Sequence, residues 1–288
     1  MTSPATGSLH LPDERLTADR EETKYLVGAD RLAPLLALLA KHLPPHRFTG
    51  EGANLLPGAW HLVTTIYFDT PVRTHYRAAT GDIDHNVKIR AKEYYDLHPS
   101  LAELATDPGD IVRYQPWIWF EMKRRDGART IKHRFRLPKL DVPACLNGGQ
   151  VVPEALALPA SGVVPADSER AGISEIVAYC RALGEPLAAS CLVNYRRLSW
   201  QEPDGDLRVT LDSELAFYAV PEDLWQRRRA LVRDALGTAR ASERRAILEI
   251  KCRSAQPAWL RSFLGGANVE SVRFSKFVAA AGAVHGEG

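Results

Sequence analysis

The sequence predicts an α+β protein built on an antiparallel β-sheet or barrel with flanking helices. Eight segments alternate β-branched or aromatic residues with charged residues, and turn residues bound each of them. The regular alternation of strands with helices that marks a parallel sheet is absent. The 288 residues are 45% hydrophobic, which is ample for a packed core in one large domain.

The elements at the amino-terminal end are a strand and a helix. The segment EETKYLV, at 21–27, is the first predicted strand. Asp30 then stands as an N-cap, leucines recur at helical spacing from Leu32 to Leu43, and Pro44 ends the run. The pattern therefore predicts one short, buried helix after the first strand.

Seven further strands follow with the same alternation. Turn residues at Arg125–Gly127 and at Pro203–Asp206 predict two tight hairpins between consecutive strands, which favours antiparallel pairing. The seven segments are, in chain order, HLVTTIYFDT, NVKIRAKEYY, PWIWFEMKRR, ARTIKHRFRL, CLVNYRRLSW, DLRVTLDSELAFY and RAILEIKC.

Irregular stretches and three helices complete the prediction. Residues 1–19 are polar and lack periodicity, so we expect a disordered tail before a single domain at 20–284. An irregular surface excursion is expected near 141–170. Helical patterns then cover 174–183, 224–240 and 269–283.

Composition excludes several classes of protein. The 37 Lys and Arg residues nearly balance the 35 Asp and Glu residues, and the net charge of +2 argues against a polycation that coats nucleic acid. The sequence has no apolar run as long as a membrane span and no secretory signal. Its four cysteines are scattered without a paired motif, which is typical of reduced thiols, so we expect a cytoplasmic protein.

Strand parity separates the charged residues from the apolar ones. Residues i and i+2 of a strand share one face. In the third predicted strand, Ile89 and Ala91 face one side. Lys88, Arg90 and Lys92 face the opposite side. The same division holds in the other strands that carry several charges.

Two interpretations of the charged face remain open. It is either the solvated face of half-exposed sheets or the lining of a tunnel inside a barrel. Seven Lys and Arg residues from Lys123 to Arg136 stand against one Asp, which is costly without a bound anion. Glu also recurs two residues before Lys at Glu22, Glu121 and Glu249. Carboxylates among many cations suit a divalent metal bound to a polyphosphate, which favours the tunnel.

Aromatic and imidazole side chains give weaker signals. Trp117 and Trp119 share the parity of Glu121. We expect them to pack at the mouth of the barrel, and stacking on an adenine is the alternative. The nine histidines show no metal-binding spacing and are expected in surface or packing roles.

Short motifs along about 20–278 resemble one protein family. They match, in the same order, those of the VTC (vacuolar transporter chaperone) polyphosphate polymerase domain, a member of the CYTH/triphosphate tunnel metalloenzyme superfamily. No single motif is specific, but nine in order on predicted strands are. The matching segments are Glu22–Tyr25, Tyr67–Asp69, Lys88–Arg90, Phe120–Lys123, Lys132–Phe135, Asn194–Arg197, Arg208–Asp212, Leu248–Lys251 and Ser275–Phe277.

The resemblance implies a fold and a set of site residues. The implied fold is an eight-stranded antiparallel tunnel β-barrel with flanking helices, in which cations bind phosphate and carboxylates hold a metal ion. The implied catalytic residues are Arg90, Arg134, Arg197, Arg208 and Lys251. The implied substrate-binding residues are Lys24, Lys88, Lys123, Lys132 and Lys276. The implied metal ligands are Glu249, then Glu121 and Glu22.

One position departs from the superfamily pattern. The superfamily opens with Glu-x-Glu-x-Lys, and Arg20 stands at the first of these places, before Glu22 and Lys24. This departure argues against a two-metal triphosphatase and is consistent with the VTC branch of the superfamily.

The implied reaction transfers the γ-phosphoryl group of ATP to a growing polyphosphate and releases ADP, with Mn²⁺ or Mg²⁺ as cofactor. Two alternatives stay open: a metal-dependent nucleoside or inorganic triphosphatase, and a non-catalytic module that binds polyphosphate or inositol phosphate. The implied partners are ATP and polyphosphate, and nucleic acid is not expected. If the product crosses a bilayer, a separate membrane protein must hold the chain at the membrane, because the sequence has no membrane segment.

Overall fold

The computed structural model describes residues 21–46, 61–82, 84–96, 117–127, 129–225, 231–266 and 268–286. The predicted tail at 1–19 lies outside them. Within the described residues, ten strands form one sheet whose ladders are antiparallel, which confirms the predicted α+β class. The strands are β1 (Glu21–Val27), β2 (His61–Asp69), β3 (His85–Asp96), β4 (Trp117–Asp126), β5 (Arg129–Pro138), β6 (Ala188–Gln201), β7 (Leu207–Tyr218), β8 (Ala241–Glu243), β9 (Ala246–Cys252) and β10 (Val269–Ser271).

Helices cover the outer face and one end of the sheet. In the described part of the chain they are α1 (Ala29–His42), α2 (Thr74–Gly81), α3 (Val142–Cys145), α4 (Pro153–Ala157), α5 (Asp167–Leu183), α6 (Ala258–Leu264) and α7 (Lys276–His285). Two 3-10 turns accompany them, at Asn147–Gly149 and Arg233–Leu236. None of these helices is long and apolar enough to span a membrane.

The sheet curls until distant strands approach each other. The strand order is β10-β1-β9-β7-β6-β2-β3-β4-β5, so that β1 and β4 lie six steps apart. At about 4.8 Å per step, a flat sheet would separate them by roughly 29 Å. Yet Lys123 Nζ in β4 lies 3.6 Å from Glu22 Oε2 in β1. The sheet therefore encloses an interior, and these two side chains meet across it.

A backbone ladder does not close this barrel among the residues that the structure describes. The sheet ends at β5, and no ladder there joins β5 to β1 or β10. Helix α5 covers the edge of β5 instead. Gly172 brings it so close that a Cβ at this position would lie 2.9 Å from the Arg134 carbonyl oxygen. Glu169 also accepts a hydrogen bond from the Arg136 backbone N–H at 3.1 Å. The closed eight-stranded ladder is therefore corrected to an open, curled sheet.

Apolar side chains pack on the outer face in two cores. The first lies beneath α3 to α5, where Phe120 and Phe135 of the sheet meet Ile176. The second lies beneath α1 and α6, where Leu39 packs against Leu248. Alternate residues of the same strands therefore face inward.

A third apolar cluster fills one end of the interior. Helices α2 and α7 pack there against the inward-facing residues of several strands. We call this cluster the plug, and its buried members are Leu26, Val63, Tyr67, Tyr76, Ala79, Cys191, Val193, Tyr195, Leu215, Phe217, Ile247, Phe277, Ala280 and Ala281. Leu26 and Ile247 share the strand faces of Lys24 and Glu249, so the plug and the charged residues line one interior.

Elements of the middle region differ from the prediction. The excursion at 141–170 contains α3 and α4, and it buries Cys145 and Leu156 in the first outer core. These helices are too short to give a periodic pattern. Helix α5 begins at Asp167, not at 174, because its first turn is polar and Glu169 accepts a hydrogen bond from Ala166 N–H. Helix α2 was not predicted; the Asp69 carboxylate receives N–H groups at its start.

Two predicted helices near the carboxyl end are corrected. The helix at 224–240 is wrong, because its described residues form a 3-10 turn at Arg233–Leu236, and 226–230 lie outside the description. The last helix begins at Lys276 and not at 269, since Val269–Ser271 pair with β1 as β10.

Candidate functional site

The interior carries a dense set of charged side chains beside the plug. Every site residue predicted from the sequence belongs to it. Eleven members are basic: Lys24, Lys88, Arg90, Lys92, Lys123, Lys132, Arg134, Arg197, Arg208, Lys251 and Lys276. Four are acidic: Glu22, Glu121, Asp212 and Glu249. We call these residues the charged lining; its cations outnumber its carboxylates, so a polyanion complements it.

Glu22 and Glu249 form one cluster with lysines of β1 and β9. Lys24 Nζ lies 2.9 Å from Glu22 Oε1 and 3.9 Å from Glu249 Oε2. Lys251 Nζ lies 2.9 Å from Glu249 Oε1 and 3.5 Å from Glu22 Oε2. Two carboxylates thus share two lysines, and Lys123 approaches from β4.

The lysines keep both carboxylates of this cluster ionised. Partial burial and the charge of Glu249 act to raise the pKa of Glu22, but Lys251, Lys24 and Lys123 outweigh them and lower it to about 2. Burial likewise acts to raise the pKa of Glu249, and Lys251 and Lys24 hold it well below its usual value. Both groups therefore offer charged oxygens at neutral pH.

Glu121 lies at the centre of a second cluster. Its side chain is 1% exposed. Oε2 lies 2.7 Å from Arg90 Nε and 3.5 Å from Lys92 Nζ, and Oε1 lies 3.2 Å from Lys132 Nζ. Burial acts to raise the pKa of Glu121, but Lys132, Lys92 and Arg90 keep it well below its usual value. Both oxygens are engaged by cations other than those that hold Glu22 and Glu249, so the three predicted metal ligands do not form one group.

Asp212 forms a third cluster that the prediction did not include. Arg197 donates two hydrogen bonds to its carboxylate, from Nε to Oδ1 at 2.5 Å and from Nη2 to Oδ2 at 2.7 Å. Lys276 Nζ lies 2.6 Å from Oδ2. Burial acts to raise the pKa of Asp212, and Arg197 and Lys276 lower it. Its parity with Arg208 was the available signal, since both residues face the interior from β7.

Three hydroxyl groups in the interior were also missed. Thr65, Ser199 and Thr210 are buried on the inner face of β2, β6 and β7. None of their side-chain oxygens has a hydrogen-bond partner among the described residues. An unpaired buried hydroxyl is costly, so these groups are available as donors to a ligand.

Helix α7 joins the charged lining to the plug. Ser275 caps the helix, its Oγ accepting from Val278 N–H at 3.4 Å. Lys88 Nζ donates to the same Oγ at 3.1 Å. The next residues, Lys276 and Phe277, then lie in the lining and in the plug respectively. The Ser-Lys-Phe motif therefore marks the boundary between the two.

The described residues contain no group of three His, Cys, Asp or Glu side chains arranged to hold a metal ion. Glu22 and Glu249 still suit a hard divalent cation, because they are ionised carboxylates that contact the same two lysines. Two protein carboxylates complete a site only together with oxygens from a ligand. The lining thus fits a metal that arrives with a phosphate chain.

Several solved structures align with most of this chain. No protein with a curated description matches it. A solved structure of a proposed adenylate cyclase from Bacillus halodurans aligns over 91% of this chain and 97% of that chain, with 14% identity and a TM-score of 0.48. A Pyrococcus horikoshii protein aligns over 90% and 94%, with 10% identity and a TM-score of 0.39. A proposed adenylate cyclase from Vibrio parahaemolyticus aligns over 91% and 98%, with 9% identity and a TM-score of 0.39.

The family model gives the decisive comparison. The model of the VTC domain matches residues 19–285. That range contains every residue of the charged lining and every strand of the sheet. The resemblance inferred from nine short motifs is therefore confirmed, and the chain belongs to the VTC domain family.

Proposed function

We propose that this protein is a polyphosphate polymerase, which transfers the γ-phosphoryl group of ATP to the end of a polyphosphate chain and releases ADP. The observation that carries the proposal is the charged lining, in which eleven cations and four carboxylates share an enclosed interior. Membership of the VTC domain family supports the same substrate class.

Arginines of the lining hold and orient the phosphates. The pairing of Arg197 with Asp212 fixes the plane of its guanidinium, and Glu121 does the same for Arg90. A guanidinium held in this way offers its remaining N–H groups to phosphate oxygens without first losing rotamer freedom. Arg134 and Arg208 extend the set along β5 and β7. Positioning of this kind supplies much of the catalysis in phosphoryl transfer.

Lysines of the lining act as exchangeable point charges. In the free protein, Lys24 and Lys251 neutralise Glu22 and Glu249. When a phosphate chain enters, its oxygens become partners of the lysines, and both carboxylates are left to face a cation. Lys88, Lys123, Lys132 and Lys276 complete the substrate-binding residues.

A divalent metal, Mn²⁺ or Mg²⁺, fits between the freed carboxylates and the phosphates. Glu249 and Glu22 would hold it, and when bound it supplies charge neutralisation at the transferring group. Glu121 has a different role, because both of its oxygens already hold cations of the protein. We assign it to the support of Arg90 and Lys132.

The reaction needs no nucleophile from the protein. The terminal oxygen of polyphosphate is already an oxyanion, and it forms a bond to the γ-phosphorus of ATP. The bond from that phosphorus to the β,γ-bridging oxygen breaks, and this oxygen carries the electron pair away on ADP. Arg90, Arg134 and Arg197 stabilise the charge on the transferring oxygens. Thr65, Ser199 and Thr210 donate further hydrogen bonds.

The plug favours one second candidate, a metal-dependent triphosphatase. It fills one end of the interior with side chains from β1, β2, β6, β7 and β9 and from two helices. A growing chain therefore has no exit through that end. A blind interior suffices for hydrolysis, in which water takes the place of the polyphosphate end. A polymerase with this interior must release its product through the opposite mouth or between β1 and β5.

Product analysis tests the proposal. Purified protein is incubated with ATP, Mn²⁺ and a short polyphosphate primer, and the products are resolved by chain length. We expect polyphosphate longer than the primer and an equal amount of ADP. Arg197→Ala should lose this activity. Arg253→Ala is the matched control, since Arg253 is an exposed arginine beyond the lining that pairs with Asp206.

The alternatives give different products. Free phosphate without longer chains would establish the triphosphatase. Tight binding of polyphosphate without turnover would leave the non-catalytic module. If Arg197→Ala still elongates polyphosphate, the assignment of Arg197 to the site is wrong.

A further inference from the structure

Aromatic rings and guanidinium groups alternate at one end of β4 and β5. Arg134 Cζ lies 4.5 Å from the ring centroid of Trp119. Arg136 Cζ lies 5.9 Å from the Trp119 centroid and 5.4 Å from that of Trp117. Both tryptophans are partly exposed. We call these four residues the tryptophan ladder.

The tryptophan ladder lies away from the plug. In the β3–β4 register, Lys123 stands opposite Lys88, which contacts the first turn of α7. Trp119 stands opposite Lys92, four residues before Lys123 in β4. At about 3.3 Å per residue, Trp119 lies roughly 13 Å along β4 from Lys123. The tryptophan ladder therefore belongs to the open mouth of the interior.

The charge distribution orients an entering nucleotide. Phosphates are drawn into the charged lining, and the plug blocks passage beyond it. The nucleoside of a bound nucleotide must then lie on the mouth side. Arg134 belongs to both features, since it faces Glu121 across the β4–β5 ladder and lies over Trp119. The phosphate site and the aromatic site are thus continuous.

We propose that Trp119, supported by Arg134 and Arg136, is a stacking site for the nucleobase of a nucleoside triphosphate whose phosphates occupy the charged lining. The inference rests on the proposed function, because it takes that triphosphate as the substrate. Tryptophan rings and guanidinium planes both stack on bases. Stacking tolerates any base, so the site selects nucleotides over inorganic phosphate chains and not one purine over another.

Arg136 of the tryptophan ladder also has a structural role, so Trp119 is the better residue to substitute. Arg136 Nε also pairs with Glu169 of α5 at 2.9 Å, so this arginine ties the helix to the sheet. Trp119 is the member whose ring lies near both Arg134 and Arg136. Substitution of Trp119 leaves the pair of Arg136 with Glu169 in place.

The test compares two probes, ATP and inorganic tripolyphosphate, by equilibrium titration of wild type and variants without divalent metal. Trp119→Ala should weaken ATP binding by about 5- to 150-fold, the range that stacking of one base provides. Its affinity for tripolyphosphate should stay within about twofold of wild type, which also shows that the lining is folded. Trp119→Phe should keep most of the ATP affinity, and GTP should bind wild type as ATP does.

Trp259→Ala is the matched control. Trp259 lies in α6 and stacks on His42 with centroids 4.4 Å apart, on the outer side of the sheet. It should leave the binding of both probes unchanged. An equal loss of both probes in Trp119→Ala, or an unchanged affinity for ATP, would overturn the stacking site while the proposed function stands. If wild type binds neither ATP nor tripolyphosphate, the proposed function itself is overturned.

Discussion

At the scale of single residues, the carboxylates of the lining differ in what they hold. Glu121 is the counter-ion of three cations, and it is 1% exposed. Glu249 is 14% exposed, and it shares its lysines with Glu22. Removing a carboxylate therefore has different consequences at the two positions. Removal of the Glu121 carboxylate leaves three partly or fully buried cations without their counter-ion. Removal of the Glu249 carboxylate leaves Glu22 in contact with the same lysines.

The pair Glu249→Gln and Glu121→Gln tests this difference. Glu249→Gln should abolish metal-dependent turnover and leave the urea midpoint of unfolding near wild type, since Glu22 still contacts both Lys24 and Lys251. Glu121→Gln should lower the free energy of unfolding by roughly 3 to 5 kcal/mol, the cost of breaking a buried ion pair. Wild-type turnover in Glu249→Gln would contradict the metal assignment. Equal stability of the two variants would contradict the role of Glu121.

Thr210 gives a second prediction at this scale. Its buried hydroxyl has no partner in the described structure, so Thr210→Val removes an uncompensated polar group at nearly constant volume. Thermal unfolding should show stability equal to wild type or higher by about 1 kcal/mol. Affinity for tripolyphosphate should fall roughly tenfold, because a hydrogen bond to a charged group is lost. Thr80→Val, on the exposed side of α2, is the control, and an unchanged affinity in Thr210→Val would place that hydroxyl outside the binding site.

At the scale of elements, α5 acts as the cover of an open sheet edge. It lies against β5, where Gly172 faces the Arg134 backbone and Glu169 bonds to the Arg136 N–H. An uncovered edge strand exposes unpaired N–H and C=O groups. The helix therefore satisfies part of this edge, and it fixes the strand that carries Lys132 and Arg134.

Gly172→Ala tests the fit of this helix. A Cβ at this position would meet the Arg134 carbonyl oxygen at 2.9 Å, so the helix must shift. We expect a loss of roughly 1 to 3 kcal/mol in urea unfolding, and weaker tripolyphosphate binding as β5 moves. Gly81→Ala in α2 is the matched control, because nothing lies within 4 Å of its added Cβ. Equal stability of the two variants would show that α5 can shift without cost.

At the scale of the whole molecule, the cations of the lining act on one another. Lys88 has a pKa of about 7, lowered first by burial and then by Lys24, Lys123 and Arg90. Burial and Arg90 similarly lower the pKa of Lys92 to about 7. The free protein thus keeps some of its lysines at the edge of deprotonation. A bound polyanion supplies the missing negative charge and restores the protonated form.

Binding should therefore depend on pH near neutrality. Folded Lys88 is charged below about pH 7 and neutral above it, so affinity for tripolyphosphate should fall as the pH rises from about 6 to 8. Lysine in the unfolded chain has its ordinary pKa of 10.5, so this group favours the unfolded state below about pH 7, and that cost disappears as the pH rises toward 10.5. Titrations at several pH values measure the first effect. Lys88→Arg should flatten the profile, and an identical slope in that variant would contradict the role of Lys88.

The sequence by itself determined the eight longer strands, their parity and most members of the charged lining. Parity has a period of two residues, so Lys88, Arg90 and Lys92 could be assigned to one face without knowledge of any neighbour. Short helices such as α2 could not be predicted from the sequence, because one or two turns are too few to show a helical period. The first turn of α5 was missed for a different reason, because its polar residues show no apolar spacing.

Only the tertiary structure decided which charges meet and which end of the interior is open. The contact between Glu22 and Lys123 joins strands six steps apart, and it depends on the curl of the whole sheet. The separation of Glu121 from Glu249 and the packing of α7 in the plug depend on register between distant strands. A local pattern assigns each residue to a face, whereas curl and register arise from pairing between segments far apart in the chain. Most residues of the charged lining could therefore be predicted, but their arrangement could not.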